Sequence, residues 1–450
     1  MNEKKLTEEV STIIGGRKFM LNKKEYNKTL KDIRIRIGTL LKTDNVSFLL
    51  GAGASIEAGG FSLMKIPKSL EFSLILKAES AESGEPTWLK LFYDTVNILI
   101  KKNYSIAKRK EEIKDSANNY LEIPINLESY LSHLYMWLSS IDGVANNIKI
   151  CLDTNGDISI DKDNIQELIK KLKYSYSCLL DLPLKDKMDA LNIHQRFIKK
   201  ILTRPLNLRR ANIFTLNNDT LIEQAADAEG VLLLDGFVGT IRRVFRPESY
   251  DIDFYFPAQT TEGKVHRFDR VLHLYKLHGS VTWHRCEQNW GNPYGLYASL
   301  HYQQCSEDDV MIYPSPLKYG QVLGLPYSEL FRRFGNAIVQ PQSVLFTIGY
   351  GFGDEHVIAL IRQALAIPSF TLVIVDPDPQ NEFFKKIKEL EDERVWLITG
   401  LEIGKFSKFV QELLPDLREE EINTKVTDTY KKLTPIDLDG LHSEEGTNVE

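Results

Sequence analysis

Four stretches of this chain carry residue types that suit chemistry at a hydroxyl or a phosphate. Asn217 lies in Thr215-Leu216-Asn217-Asn218-Asp219, and His278 lies in Lys276-Leu277-His278-Gly279-Ser280. An asparagine amide both donates and accepts, so it can orient a water or a hydroxyl. A histidine with a pKa near neutrality can take the proton from that group. The third stretch is the apolar run Val46 to Leu50 followed by Gly51-Ala52-Gly53-Ala54-Ser55. A buried strand, a glycine turn and a small-residue helix start present backbone N–H groups to a phosphate. The fourth is Gly349-Tyr350-Gly351-Phe352-Gly353-Asp354, with Asp376 after the next strand.

Each stretch also has a plainer reading. The glycine turn lacks the full GxGxxG fingerprint, and such turns are common after strands. Asn217, Asn218 or Asp219 can cap a helix that begins near Thr220, and Asp354 reads first as the N-cap of a helix at His356. His273, His284 and His301 have no motif around them and read as ordinary.

The elements that must position these residues form a β/α alternation. Apolar residues at helical spacing run from Lys28 to Leu41, into the strand at Val46. Strands are predicted at 211–216, 231–234, 271–277, 343–348, 370–375 and 395–398. Helices are predicted through Ala226, at 328–338, 357–366 and 381–391, and last at 406–414. This pattern predicts an α/β fold, a Rossmann-like parallel sheet with helices on both faces. All four stretches then fall at carboxyl ends of strands, the ligand edge of an open sheet.

The alternation breaks from residue 61 to 204, where amphipathic helical patterns dominate and a polar loop with Asn155-Gly156 lies at 153–163. The organisation read here is an N-terminal arm (1–24), a catalytic domain (25–60 and 205–415), a helical insertion (61–204) and an acidic, flexible tail (416–450). The aromatics of the insertion read as helix packing rather than a base-stacking platform. Its apolar faces predict a homo-oligomer and a place beside the site.

The 450 residues carry a net charge of −6, which argues against nucleic-acid binding over the whole surface. No apolar run approaches a membrane span, and the charged start lacks a secretory core, so a cytoplasmic protein is expected. Cys151, Cys178, Cys286 and Cys305 form no CxxC pair and read as reduced thiols, not as a metal site.

Taken in order, GAGAS, TLNND, KLHGS and GYGFGD resemble the motif series of the sirtuin (silent-information-regulator-like) superfamily. The similarity spans about residues 45–410, with insertions. It is nearest to the bacterial antiphage-defence branch, whose sirtuin-like domains hydrolyse NAD. Asp235-Gly236-Phe237-Val238-Gly239 and Tyr313-Pro314…Lys318-Tyr319 also look like that branch. The resemblance implies that Asn217 sits at the nicotinamide ribose and that Asp219 lies near the nicotinamide carboxamide. It makes His278 the catalytic histidine. It implies that Gly51, Ala52, Gly53 and Ser55 cradle phosphate and ribose. Gly349 opens a further cofactor stretch, and Asp376 corresponds loosely to a polar residue on the adenosine ribose.

Departures set the substrate expectation. Deacylating sirtuins carry a CxxC…CxxC zinc module after the HG motif, and only Cys286 and Cys305 follow here before Ser343. The arginine of their cofactor loop is missing from Gly59-Gly60-Phe61-Ser62-Leu63-Met64, and Leu216 replaces a glutamine. The resemblance therefore implies an NAD glycohydrolase, with no metal expected. The alternatives are a deacylase or ADP-ribosyltransferase, and a non-catalytic nucleotide-sensing scaffold. It further implies a role in abortive infection and a separate HerA-type hexameric ATPase as partner, ahead of an Argonaute. Direct nucleic-acid or membrane binding is not expected.

Overall fold

Val46, Phe48, Leu49 and Leu50 are all buried, so this strand shows no polar alternation. A strand covered by helices on both faces has that composition. The structure is a computed structural model. It describes residues 11–14, 17–20, 26–61, 65–79, 85–116, 122–144, 147–152, 156–180, 182, 188–256, 266–299, 309–311 and 324–418.

The main sheet has nine strands: β1 (Ser11–Ile14), β2 (Arg17–Met20), β3 (Asn45–Leu50), β4 (Asn212–Thr215), β5 (Leu232–Leu234), β6 (Val271–Lys276), β7 (Ser343–Ile348), β8 (Thr371–Asp376) and β9 (Val395–Thr399). Their spatial order is β2-β1-β9-β8-β7-β3-β4-β6-β5. From β9 to β5 every neighbour is parallel. From β3 the chain builds outward through β4, then returns to the other side of β3 as β7. Strand order reverses there, which opens a crevice beyond the carboxyl ends of β3 and β7.

Successive side chains of each strand feed opposite faces. Leu49, Phe214, Leu345 and Leu372 join one apolar cluster, under the Tyr327–Ile338, Glu355–Leu365 and Glu382–Glu389 helices. Phe48, Leu50, Ile213, Phe346 and Val373 join the other, under the helices at Tyr26–Leu41 and Leu221–Ala228. Phe48 stacks on Phe346 at 5.0 Å between centroids and meets Phe197 edge-on at 5.2 Å.

The insertion has its own core. Ile66, Leu74, Trp88, Phe92, Tyr130 and Leu168 close together from four helices, at Ile66–Glu79, Thr87–Ile100, Leu127–Val144 and Lys162–Leu180. A buried ion pair lies among them. Arg109 donates from Nε and Nη2 to both Glu71 oxygens at 2.8 and 2.6 Å, and the Tyr93 hydroxyl adds a bond at 2.9 Å. The bidentate fork offsets the desolvation of two charges, and removing either partner would strand the other.

Three sequence expectations change here. The Met188–Ile201 helix does not join the insertion core; Phe197, Ile198 and Ile201 pack on the sheet. Its strong apolar face is complementary to β3 and β4, so the helical part of the insertion ends near Leu180. The described part of the N-terminal arm is not free: β1 pairs antiparallel with β9 and extends the sheet edge. The 153–163 loop is largely a hairpin, Asn147–Leu152 against Gly156–Asp161, because β-branched residues alternate on both sides of the turn. The fold also contains an unanticipated antiparallel sheet of five strands, one of which, Gly279–Arg285, starts directly after His278. The tail beyond 418 and Tyr313-Pro314…Lys318-Tyr319 lie outside the described residues.

The placement of the Met188–Ile201 helix is testable. Phe197→Ala should destabilise the sheet domain by about 3–5 kcal/mol, the cost of emptying a packed aromatic site. Chemical denaturation followed by tryptophan fluorescence measures it. A loss below about 1 kcal/mol would remove this helix from the core.

Candidate functional site

The turn after β3 and the turn after β7 touch backbone to backbone. Gly51 N–H donates to Ile348 O at 3.0 Å, and Gly53 N–H donates to Gly349 O at 2.9 Å. A Cβ on Gly51 would lie 2.5 Å from Gly349 O, and one on Gly53 2.6 Å from Gly349 Cα. Gly349 itself has φ +59°. These glycines exist so that two crossover turns can meet at the switch point. Two of the N–H groups expected to face a phosphate are used inside the turn. Ala54 and Ser55 N–H donate to Gly51 O and Ala52 O, each at 3.0 Å, so these donors are satisfied within the turn. The helix that follows is a single turn, Gly53–Ile56. Gly351 and Gly353 differ: a Cβ on either would meet nothing within 4 Å. Both line the cavity described below, where the missing side chains leave room.

Asn217 is fixed from three sides. Its N–H donates to Thr215 Oγ1 at 3.0 Å, and Thr215 Oγ1 donates to Leu50 O at 3.2 Å. Its Nδ2 donates to Gly51 O and to Ser55 Oγ, both at 2.9 Å. Ser55 Oγ in turn donates to Asp219 Oδ2 at 2.7 Å. The amide, the hydroxyl and the carboxylate therefore form one chain of donors and acceptors, with directions set by the ionised carboxylate at its end. Asp219 Oδ1 accepts from Leu221 N–H at 3.1 Å, so this carboxylate also caps the Leu221–Ala228 helix. Asn218 does not cap; its Nδ2 holds His278 O at 2.7 Å and Gly279 O at 3.2 Å.

His278 leaves the end of β6 held by that amide. Its Nε2 lies 3.1 Å from Asp354 Oδ2, without the alignment of a hydrogen bond, and both side chains are buried. Asp354 is the N-cap expected of it, accepting His356 N–H at 3.2 Å through Oδ1. Its second oxygen faces the histidine, a role its sequence position did not reveal. The Tyr350 hydroxyl donates to Asp354 O at 3.1 Å and steadies the same turn. Burial, with the Asp354 charge adding to it, pushes that hydroxyl well above the ordinary phenol range.

Beneath Asp219, the Lys276 ammonium is buried and donates to Asp219 O and, at 2.7 Å, to Glu223 Oε1. Burial raises the Glu223 carboxyl above its ordinary range, while the lysine opposes the shift.

These residues surround a cavity of about 290 Å³. Gly51, Ala52, Ser55, Asn217, Asp219, His278 and Gly349 all line it. Two of the sequence-derived candidates do not. Gly53 lies behind the turn, against Gly349, and Asp376 ends β8 outside the cavity walls, accepting Asp378 N–H at 2.9 Å. Burial raises the Asp376 carboxyl. The far wall comes from the insertion: Ile66, Tyr176, Leu179, Leu180 and Leu182. Burial lifts the Tyr176 hydroxyl above the usual phenol range, and the charge of Asp219 adds to that lift. In the sequence Tyr176 is one aromatic among many on helical spacing, so nothing local marked it. Leu216 lines the cavity as well.

Among the described residues no group of His, Cys, Asp and Glu could hold a metal ion, and no helix is long and apolar enough to cross a membrane.

The two glycine environments predict opposite outcomes. Gly349→Ala should cost stability on the scale of strained backbone, about 1–3 kcal/mol, because both its φ and its space exclude a Cβ. Gly351→Ala should change stability by no more than about 0.5 kcal/mol and place its methyl at the cavity. Thermal unfolding of both variants decides it; equal losses would contradict the turn-to-turn contact.

Residues 211–398 match the family model described as the SIR2-like domain. No curated protein matches the chain. Among solved structures, one titled as a complex of a Sir2 homolog with NAD aligns over 86% of this chain and 94% of its own, at 11% identity and a TM-score of 0.39. The matched stretch, less than half of the chain, runs from the start of β4 into β9 and holds Asn217, Asp219, His278 and Asp354.

Proposed function

We propose that this protein is an NAD glycohydrolase. The observation that carries the reading is one cavity in which Asn217, Ser55, Asp219 and His278 converge, with Asp354 behind the histidine. The reaction breaks the C1′–N bond of NAD, and the bonding pair leaves with nicotinamide as a neutral molecule. A water oxygen then bonds to C1′, giving ADP-ribose and a proton. Oxocarbenium character at C1′ needs little acid help and much positioning. Asn217 orients the water or a ribose hydroxyl. His278 accepts the proton on the ring nitrogen that does not face Asp354, and Asp354 fixes the other nitrogen as the donor. The apo distance suits this role, since such pairs tighten when substrate binds.

Among the described residues that line the cavity there is no arginine and no zinc-ligand set of the kind deacylating sirtuins carry, and the described insertion wall is mostly apolar. Water is therefore the favoured acceptor over an acyl-lysine peptide. An uncontrolled NAD hydrolase would harm its own cell, so the reading includes a trigger. We place the protein in antiphage defence by abortive infection, as a homo-oligomer acting with a HerA-type ATPase.

The test is nicotinamide release by purified variants, with NAD binding followed separately and an acylated peptide supplied in parallel. His278→Ala and Asn217→Ala should each lose about 10²-fold or more in turnover while still binding NAD. Asp354→Asn should lose turnover as well, and His284→Ala, outside the cavity, should lose nothing. Full activity in His278→Ala would overturn the assignment; O-acyl-ADP-ribose as the product would move the protein to the deacylases.

A further inference from the structure

A second and larger cleft lies at the opposite edge of the sheet. It measures about 720 Å³ and opens where the central strands begin, at Asn45 of β3 and Asn212 of β4. His273 of β6 pairs in register with Asn212, so the cleft and His278 sit at opposite ends of one strand layer. A strand rises about 3.3 Å per residue, which separates the two sites by about 15–20 Å. They share no lining residue.

Five arginines line this cleft: Arg209, Arg210, Arg267, Arg332 and Arg333. Three carboxylates answer them. Asp253 accepts from Arg210 and Arg267, at 2.7 and 2.6 Å. Asp251 takes a bidentate pair from Arg333 at 2.8 Å, and Glu329 takes one from Arg332 at 2.7 and 2.6 Å. The carboxylates set the guanidinium planes in place, and the cleft keeps an excess of positive charge. Arg209 has the weakest tie, a 3.3 Å bond to the neutral Asn45 amide. At the floor lies His273. Burial, reinforced by the charge of Arg210, lowers its pKa to about 4. Its Nδ1 is buried and meets no hydrogen-bond partner among the described residues. A buried polar atom without a partner costs free energy, and a ligand group reaching the floor would remove that cost.

We propose that this amino-edge cleft binds a phosphate-bearing small molecule of nucleotide size. Guanidinium forks held in fixed planes match phosphate oxygens, and the excess charge suits one or two phosphate groups. A bare phosphate would leave most of the volume empty, whereas ligand pockets of about 300–1,000 Å³ enclose whole nucleotides. The side-chain amides of Asn45, Asn212, Asn336 and Gln340 line the remaining wall and offer donors and acceptors to the rest of such a ligand.

The test uses ADP and inorganic pyrophosphate as probes in titration calorimetry on the full chain. Arg209 and Arg332 are exposed, so Arg209→Glu with Arg332→Glu should fold; the double glutamine variant is the milder second arm. A Gly351→Phe variant, which fills the cavity at the other edge, controls for binding there. The expected result is ADP binding that survives Gly351→Phe, weakens at least about tenfold in the glutamate variant and less in the glutamine variant. Binding lost in Gly351→Phe but retained after charge reversal would overturn the proposal, as would no ADP binding by the wild type at about 1 mM. Tighter capture of a single-stranded oligodeoxynucleotide than of ADP through the same arginines would also overturn it, in favour of a nucleic-acid surface.

Discussion

The site depends on a contact between two backbones. Gly51 and Gly53 at the end of β3 meet Gly349 at the end of β7, close enough that any side chain would force them apart. This closure uses the N–H of Gly53 and the carbonyl of Gly349, and it sets where each strand stops. Asn217 is hung from Gly51 O on one side, and Asp354 follows Gly349 on the other. The placement of the Asn217 amide relative to Asp354 therefore rests on glycine packing, while His278 is set by the pairing of β6 with β4 and by Asn218. Strand order reverses at the same place, so the crevice and the rigid contact share one cause.

Around this frame the polar groups are arranged so that few are left to choose their own geometry. Asp219 fixes Ser55, Ser55 receives Asn217, and Asn218 pins the backbone of His278. Lys276 and Glu223 support the same turn from beneath. Such a chain is costly if half-made and rigid when complete. The His278–Asp354 pair differs: it stands at contact distance without the alignment of a hydrogen bond.

The insertion changes the character of the cavity without touching its chemistry. It folds around its own apolar core and its own buried Glu71–Arg109 pair, then offers Tyr176 and a set of leucines as a wall. A wall of this kind excludes water from one side and strengthens electrostatic interactions within. The Met188–Ile201 helix, next in sequence, belongs instead to the sheet, where Phe197 packs edge-on against Phe48 and Phe406.

The sheet was legible from the sequence because parallel strands announce themselves as short apolar runs between amphipathic helices, and β3, β4, β6, β7, β8 and β9 all do. The location of Asn217 and His278 at one sheet edge was legible too, since each follows such a run and strand ends converge on one edge of an open sheet. Several features needed three dimensions. Asp354 reads as a helix cap from either neighbour, and only the fold turns its second oxygen toward His278. Gly51 and Gly53 read as a glycine turn after a strand, and only the fold shows Gly349 packed against them. Tyr176 is one aromatic among many on a helix, and the arginine cleft draws on residues from 209 to 333 that no local pattern unites. Periodicity and propensity act over a few residues, so they determined the elements and their edge. Which side chains meet across those elements was decided by long-range packing alone.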